Sequence, residues 1–281
     1  MNFEREKKIN RLLLQTARVH KSFKEPFLKV PIELIEFAFK RAKLSELGTY
    51  LACQLIYSGK AKISDKPAVQ VASAMSVSSR TVYRTFKWLN NRDWIGKDEK
   101  NGWMFFRGID RVHEMEGFRY SKSAVLFKKD LAQLKGFFIG AILSNFIGNT
   151  GTGTEQIRRR SGQSCFPVSI SIVQKLFNVS EKTAFNYRKL AEKQGFIKMH
   201  PNLKQVTGIT PKDITHLKQN NIYRVELSVF GSSETLYVAP QQLRTDKGFI
   251  YAQLPNLITP KVLIGKRNMS RSKTLTPTGL C

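Results

Sequence analysis

One segment occurs twice in this chain, and the repetition limits the folds that the chain can adopt. Residues 71–95 read VASAMSVSSRTVYRTFKWLNNRDWI, and residues 173–197 read VQKLFNVSEKTAFNYRKLAEKQGFI. Self-similarity at one fixed offset, here 102 residues (71 against 173), predicts two structural units of one kind. Identical side chains recur at Val71/Val173, Val77/Val179, Ser78/Ser180, Thr81/Thr183, Lys87/Lys189 and Ile95/Ile197.

Each copy has the pattern of a short helix, a tight turn and a longer amphipathic helix. Ser78 and Ser180 precede the longer run, where a serine hydroxyl accepts a hydrogen bond from a backbone N–H and caps the helix. This pattern predicts two helix-turn-helix elements. One face of the first short helix carries Val69, Ala72 and Met75, and the inward faces of the longer helices carry Val82, Phe86 and Leu89 in one copy and Ala184, Tyr187 or Arg188, and Ala191 in the other.

The outward faces of the two longer helices are predicted to carry basic residues together with polar and aromatic ones. Such a face is typical of a helix that meets a polyanion rather than a protein core. The predicted outward residues are Ser79, Arg80, Tyr83, Arg84 and Lys87 in the first copy, and Glu181, Lys182, Phe185, Asn186 and Lys189 in the second.

Each copy is flanked by a core helix and by strand-like runs. Residues 46–57 and 131–147 are apolar enough to be central core helices. After the first copy, Asn101-Gly102 between two aromatic-rich runs predicts a β-hairpin whose two central turn residues take positive φ. After the second copy, residues 196–200 and 221–227 are the candidate hairpin strands.

The charge balance favours a polyanionic partner. The chain has 47 Lys and Arg against 21 Asp and Glu, a net charge of +26, and a pI near 10.2. With 41% hydrophobic residues it can still bury a core. The excess is present in every segment counted, from residues 1–43 to residues 240–281. Nucleic acid and an anionic membrane are the two partner classes that fit this charge.

The sequence lacks the motifs of a phosphate-loop ATPase, a rolling-circle nicking enzyme and a two-metal nuclease, and no catalytic site, metal or cofactor is expected. Three distant cysteines and four unpaired histidines predict neither a disulfide framework nor a zinc site, and a reducing compartment follows. The histidines are expected at the surface or in a hairpin, and Cys53 in a packed helix. No phosphate-binding glycine loop occurs. The most apolar run, residues 136–147, is too short to span a bilayer, and the N-terminus does not have the pattern of a signal peptide.

The two copies resemble the winged-helix family of DNA-binding proteins. The resemblance is carried by VSSRTVYRTFKWLNNRDWI with its hairpin and by VSEKTAFNYRKLAEKQGFI, and it extends over about residues 45–110 and 130–227. Members of this family often have glycine before the wing, which Gly195 matches and Asp93 does not. The resemblance implies a mainly α fold with small β wings, as two winged-helix domains in tandem.

This organisation divides the chain into five segments. They are a basic N-terminal helix or arm (1–29), a first winged-helix domain (30–112), a linker (113–129), a second winged-helix domain (130–258) and a basic flexible tail (259–281). The arm could serve as a dimer contact, a DNA-backbone contact or a membrane-surface helix. The second domain contains a long insert at 148–164, where Arg158, Arg159 and Arg160 form a cluster that is expected to contact phosphate.

The predicted function is sequence-specific binding of double-stranded DNA by a protein that is not an enzyme. Arg80 and Arg84 are the candidates for guanine, with phosphate contact as the alternative, and Asn186 is the candidate for adenine. Lys100 and Asn101 are expected at the backbone beside the groove. One chain with two helices would cover two successive major grooves. The second helix pair resembles, in arrangement, plasmid and phage replication initiators, which implies that role.

Two other functions fit the same residues. They are transcriptional regulation and non-specific nucleic-acid binding by charge alone, and a homodimer is compatible with each of them. No small-molecule substrate and no membrane partner are expected. The expected location is the cytoplasm, in association with the nucleoid.

Overall fold

The structure is a computed structural model that describes residues 25–118, 122–150 and 165–266. The chain divides into two compact units. Unit 1 consists of Met1–Lys135 with Leu263–Cys281, and unit 2 consists of Gly136–Val262. The predicted insert at 148–164 lies largely outside the described residues, and so does the cluster of Arg158, Arg159 and Arg160.

The expected fold class, mainly α with small β wings, is wrong. About 49% of the structure is helix and 26% is strand, in four sheets of three to five strands, so the chain is an α/β mixture. Most of the additional strands are only three to five residues long. Runs of that length have too little periodicity to be separated from loops in a sequence, and only their pairing with distant strands identifies them.

Unit 1 contains two three-stranded sheets and five helices among its described residues. The first sheet has the order β1-β5-β14 and the second has the order β2-β4-β3, with all neighbours antiparallel. The elements are β1 (Phe27–Pro31), α1 (Ile32–Lys40), α2 (Leu44–Tyr57), β2 (Lys60–Lys62), α3 (Pro67–Met75), α4 (Ser79–Asn91), β3 (Ile95–Asp98), β4 (Trp103–Phe106), α5 (Ile109–Met115), β5 (Lys122–Phe127) and β14 (Ile264–Lys266).

The sheet β1-β5-β14 uses segments that the sequence pattern assigns to an arm, a linker and a tail. Strand β5, its central strand, lies within residues 113–129, and β14 lies within residues 259–281. In β5, Ala124 and Leu126 are fully buried. The strand therefore belongs to the core of unit 1.

The core of unit 1 is centred on aromatic side chains. The rings of Tyr50 and Trp94 pack edge to face with centroids 5.2 Å apart, and the indole N–H of Trp94 donates to Glu116 Oε1 at 3.0 Å. The hydroxyl of Tyr50 donates to the carbonyl oxygen of Arg107. Helix α2 confirms the core helix predicted at 46–57, and Cys53 is fully buried within it. These bonds satisfy the polar atoms of large buried rings.

Unit 2 contains a three-stranded sheet of order β6-β13-β7 and a five-stranded sheet of order β10-β9-β8-β12-β11, with all neighbours antiparallel. The elements are α6 (Leu134–Thr150), β6 (Phe166–Pro167), α7 (Ile170–Phe177), α8 (Glu181–Lys193), β7 (Ile197–His200), β8 (Leu203–Thr207), α9 (Pro211–Gln219), β9 (Val225–Val229), β10 (Thr235–Val238), β11 (Leu243–Asp246), β12 (Phe249–Gln253) and β13 (Leu257–Pro260).

The sequence repeat is a structural repeat. Helices α4 and α8 have the same length and lie 102 residues apart, and so do strands β3 and β7. Both copies have the order helix, strand, helix, helix, strand, strand. The last strand is β4 in the first copy and β13 in the second, where β8 to β12 come before it in the chain. The three strands also have the same spatial order, because β2-β4-β3 matches β6-β13-β7. Two units of one kind are therefore confirmed at the level of topology.

The first hairpin is confirmed, but its turn differs from the prediction. Strand β3 pairs with β4 from Ile95↔Phe106 to Asp98↔Trp103, which leaves a loop of four residues, 99–102. Within this loop only Gly102 has a positive φ, 67°. A two-residue turn of type I′ requires positive φ at both central positions. The four-residue loop does not require positive φ at Asn101.

The second hairpin is not formed by residues 196–200 and 221–227. Strand β7 pairs with β13, and residues 225–229 form β9 in the five-stranded sheet. Residues 203–254 are thus inserted between the two strands of this hairpin. The insertion has a core of its own, formed by Val206, Ile214, Leu227, Val238, Leu243, Ile250 and Ala252. Local patterning could not identify β13 as the partner, because more than fifty residues separate it from β7.

Two smaller predictions are corrected. On α3 the buried residues are Pro67, Ala68, Val71 and Ala72, while Val69 is 47% exposed, so the predicted stripe is wrong. Of the histidines, His113 is in the core of unit 1 and only 1% exposed, rather than at the surface. Burial lowers the pKa of His113, and the carboxylate of Glu33 opposes this effect only in part.

Candidate nucleic-acid interface

Serine caps fix where the two exposed helices begin. The hydroxyl oxygen of Ser78 accepts a hydrogen bond from the N–H of Thr81 at 3.2 Å, and that of Ser180 accepts from the N–H of Thr183 at 3.4 Å. Both predicted caps are confirmed. Each cap satisfies one of the first-turn N–H groups that have no intrahelical acceptor. The caps therefore set the first residues of α4 and α8 at equivalent positions.

The ends of the two helices are equivalent as well. Asp93 has φ 58° and Gly195 has φ 80°, which are both left-handed. In each copy the next N–H bonds back five residues, from Trp94 to Leu89 at 3.0 Å and from Phe196 to Ala191 at 2.9 Å. This is the usual backbone pattern of a helix stop. Asp93 therefore performs the backbone role that glycine performs in the second copy.

Helix α4 is amphipathic as predicted. Val82, Phe86 and Leu89 are buried, with exposures of 0%, 6% and 0%. Arg80, Arg84 and Lys87 are exposed, Tyr83 is 57% exposed, and Ser79 is half-buried. A cationic face thus lies opposite an apolar face that packs on the core of unit 1.

A groove of about 930 Å³ lies beside α4 and the hairpin β3–β4. It brings together Tyr83, Lys87 and Lys100, three of the residues predicted to contact DNA. Arg80, Arg84 and Asn101 are not part of its lining. Two further lysines, Lys66 and Lys97, line the groove. A groove with four lysines can hold a chain of phosphates, because each ammonium group is a mobile point charge.

The groove also contains two acidic residues, which lower its net charge. Asp98 and Glu99 stand against four lysines, a local balance of +2. Asp98 accepts hydrogen bonds from the backbone N–H of Asn101 at 3.1 Å and from its side-chain Nδ2 at 2.7 Å. These bonds hold the pKa of Asp98 below its usual value. Asn101 thus has a structural role in the turn.

Sequence patterns did not point to Lys66 or Lys97. Lys66 precedes α3, so it reaches the groove only through the packing of α3 against α4. Two other lysines, Lys60 and Lys62, place their ammonium groups 5.1 and 5.8 Å from the centre of the Trp103 ring. They are alternate residues of β2 and so share a face, but a strand of three residues is too short for the sequence to reveal this.

Helix α8 presents its predicted outward residues to solvent. Glu181, Lys182, Asn186 and Lys189 are exposed, and Phe185 is 45% exposed. The ammonium group of Lys189 lies 4.7 Å from the centre of the Phe185 ring. An aromatic ring next to a cation on an exposed helix can contact both sugar and phosphate.

The exposed cations of α4 and α8 differ from other surface arginines in their ionic partners. Arg92 pairs with Glu116, and Arg107 pairs with Asp93. Within the described part of the chain, Arg80, Arg84, Lys87 and Lys182 form no ion pair. Their charges are therefore available to a partner.

The described residues also bear on a metal site and on a membrane span. Among residues 25–118, 122–150 and 165–266, no group of three or more His, Cys, Asp or Glu could hold a metal ion. The helical stretch Lys128–Asn149 has 22 residues with a mean hydropathy of 1.3, enough in length and composition to cross a membrane. Because 67% of its most apolar window is buried inside the protein, it also fits a core helix.

Comparison with protein-family models, with curated proteins and with solved structures finds no significant match to this chain.

Proposed function

We propose that this protein binds double-stranded DNA in a sequence-specific manner through α4 and α8. The observation that carries this proposal is the pair of equivalent helices, which are capped by serine and end in the same backbone stop. Both present exposed cations that have no acidic partner among the described residues. A helix of this kind can place its first turns against base edges in the major groove.

The groove beside α4 supports a DNA contact in addition to the helix. Its lysines, Lys66, Lys87, Lys97 and Lys100, fit phosphate oxygens next to a helix that reads bases. Phosphate contacts orient a protein on the duplex, whereas base contacts select the sequence. The resemblance to winged-helix proteins implies that the helix contacts the bases and that the hairpin β3–β4 lies beside the phosphate backbone of the DNA.

Within DNA binding, we propose the role of a replication initiator for a plasmid or a similar mobile element. The outward residues of the two helices differ, since Arg80 and Arg84 correspond to Lys182 and Asn186. Two unlike reading helices on one chain suit an asymmetric site or direct repeats better than a palindrome. Transcriptional regulation uses the same contacts and is the alternative.

Competition between specific and random DNA tests the proposal. The full chain would be used to select sites from a random duplex library, and binding to a selected site would be measured by fluorescence anisotropy. We expect binding to survive an excess of random duplex and to weaken steeply with salt, as several phosphates are neutralised. Equal affinity for selected and random duplexes would show a charge-driven, non-specific binder.

The initiator role needs a separate measurement. A reporter plasmid without its own origin would carry a run of the selected sites and would be introduced into cells that express the protein. Replication that depends on both the sites and the protein is the expected result. Site-dependent repression or activation of a promoter, without replication, would show the regulator instead.

A further inference from the structure

Helix α8 buries an arginine where α4 buries a phenylalanine. Arg188 is 5% exposed, and Phe86, its equivalent 102 residues earlier, is 6% exposed. Phenylalanine completes an apolar core without a polar atom. Arginine at the same position brings a charge and five N–H donors into the interior of unit 2.

The charge of Arg188 is only partly compensated. One guanidinium nitrogen, Nη1, donates to the carbonyl oxygen of Val168 at 3.2 Å, while Nε has no hydrogen-bond partner. Arg188 forms no ion pair with any described residue. Glu192, one turn further along α8, instead accepts the backbone N–H of Met199 at 2.9 Å. Burial lowers the pKa of Arg188, and the charge of Glu192 opposes this effect without forming an ion pair. A buried guanidinium without a hydrogen-bonded anion is unfavourable, which favours the binding of a further anion.

A cavity of about 340 Å³ lies beside Arg188. Ser169 and Ile170, at the start of α7, line it, as do Gln241 and Asn256. Ser169 caps α7 and accepts the N–H of Ile172 at 3.2 Å, which leaves the N–H groups of Ile170 and Ser171 in the first turn for an anion. The partial positive charge of a helix N-terminus favours an anion as well. The described lining residues include no Asp or Glu. The cavity therefore combines hydrogen-bond donors with an excess of positive charge.

We propose that this cavity is a binding site for a phosphate group, held by the guanidinium of Arg188 and the first turn of α7. A tetrahedral oxyanion accepts hydrogen bonds from several directions and so fits a guanidinium edge together with N–H groups. Phe185 lines the cavity and also belongs to the exposed face of α8. The phosphate comes either from the DNA backbone beside α8, which rests on the proposed function, or from a small phosphorylated ligand.

The unpaired Nε–H of Arg188 provides a direct probe. In the full chain, labelled with ¹⁵N-arginine, the Nε–H resonance of Arg188 is assigned by its loss in Arg188→Lys. Titration with inorganic phosphate at constant ionic strength should shift this resonance in a saturable manner. The Nε–H of Arg92, which already donates to Glu116 at 2.9 Å, is the internal control and should not move. A shift that is absent, or that does not saturate, would overturn the proposal.

A second variant tests the site even if Arg188→Lys does not fold. Arg188→Phe restores the residue of the first copy, so the helix should fold. Phosphate should raise the melting temperature of the wild-type protein and leave that of Arg188→Phe unchanged, because a ligand stabilises only the state that binds it. An equal rise in both proteins would place phosphate elsewhere and contradict the proposal.

A further titration with DNA distinguishes a backbone phosphate from a small phosphorylated ligand. If a selected duplex shifts the Arg188 resonance and inorganic phosphate competes with that duplex, the site holds a backbone phosphate. If phosphate saturates the site while DNA leaves it unchanged, the natural ligand is a small phosphorylated molecule. Phosphate binding without any DNA binding would refute the proposed function and leave the phosphate site intact.

Discussion

The two copies of the helix-turn-helix element have the same backbone structure and differ in their side chains and in the segment between their hairpin strands. Caps, helix lengths and helix stops coincide between α4 and α8. The differences lie at outward positions, at the buried pair Phe86 and Arg188, and between the hairpin strands. There, a four-residue loop in unit 1 corresponds to an inserted domain in unit 2. The comparison shows that a few local bonds define the element, while its faces and its hairpin tip can change independently.

The largest expected effect concerns base contacts by the first copy. Arg80→Ala with Arg84→Ala should lose about 2–6 kcal/mol of specific binding free energy, since each good arginine–guanine pair contributes about 1–3 kcal/mol. Fluorescence anisotropy on a selected duplex measures the loss. The variant Lys212→Ala with Lys218→Ala removes two charges from α9 and should change the affinity much less. Equal losses in the two variants would mean that only total charge matters.

The second-largest expected effect is on stability, at the equivalent buried positions Phe86 and Arg188. Phe86→Ala should lower the free energy of unfolding of unit 1 by about 3–5 kcal/mol, because it leaves a cavity under α4. Denaturant unfolding followed by tryptophan fluorescence measures this change. All three tryptophans (Trp88, Trp94, Trp103) lie in unit 1, so the fluorescence signal comes from that unit. Arg188→Phe, on the equivalent position of α8, is the matched control and should leave this transition in place. A small effect of Phe86→Ala would show that α4 is not anchored through this ring.

The serine caps should contribute equally. Ser78→Ala and Ser180→Ala should each cost about 1 kcal/mol of stability, since each removes the same bond to a first-turn N–H. Hydrogen exchange at Thr81 and Thr183 measures the local effect in each copy. Ser73→Ala, an exposed serine within α3, serves as the control and should change little. A clear inequality between the caps would weaken the equivalence of the two copies.

The smallest expected effect is the contribution of His113 to the loss of stability of unit 1 at acid pH. Burial lowers the pKa of His113 in unit 1, so the folded state binds fewer protons than the unfolded state. The neutral His113 should therefore contribute its full share of the free energy of unfolding at neutral pH. This share should decline as the pH falls below about 6.5, the usual pKa of histidine. Tryptophan-detected unfolding as a function of pH measures this decline. In His113→Phe the decline should be shallower. An unchanged slope in that variant would assign the acid sensitivity to carboxylates.

The repeated element could be predicted from the sequence because its determinants are local. The apolar spacing of Val82, Phe86 and Leu89 defines the buried face of α4, and a serine before the helix defines its start. Local periodicity also predicted the exposed residues of both helices, apart from the half-buried Ser79, and the hairpin after α4. A cap bond joins residues three apart, so the signal lies within one short window.

Other features were beyond the reach of local patterns. The sheet β1-β5-β14 joins strands from residues 27–31, 122–127 and 264–266, and no short window contains such a pairing. Likewise, the groove beside α4 collects Lys66 and Lys97 only after α3 and the hairpin have packed. The composition did predict a positive surface, but it could not tell which cations would lie together.

The sequence by itself determined that two equivalent capped helices exist and that each carries an exposed face with cationic residues. Only the tertiary structure decided that β7 pairs with β13 across an inserted domain, and that Arg188 rather than Tyr187 is the buried residue of the two, beside a cavity. The physical reason is the range of the interactions. Helix periodicity and caps act over a few residues, whereas strand pairing and burial depend on partners that chain folding brings together from far apart.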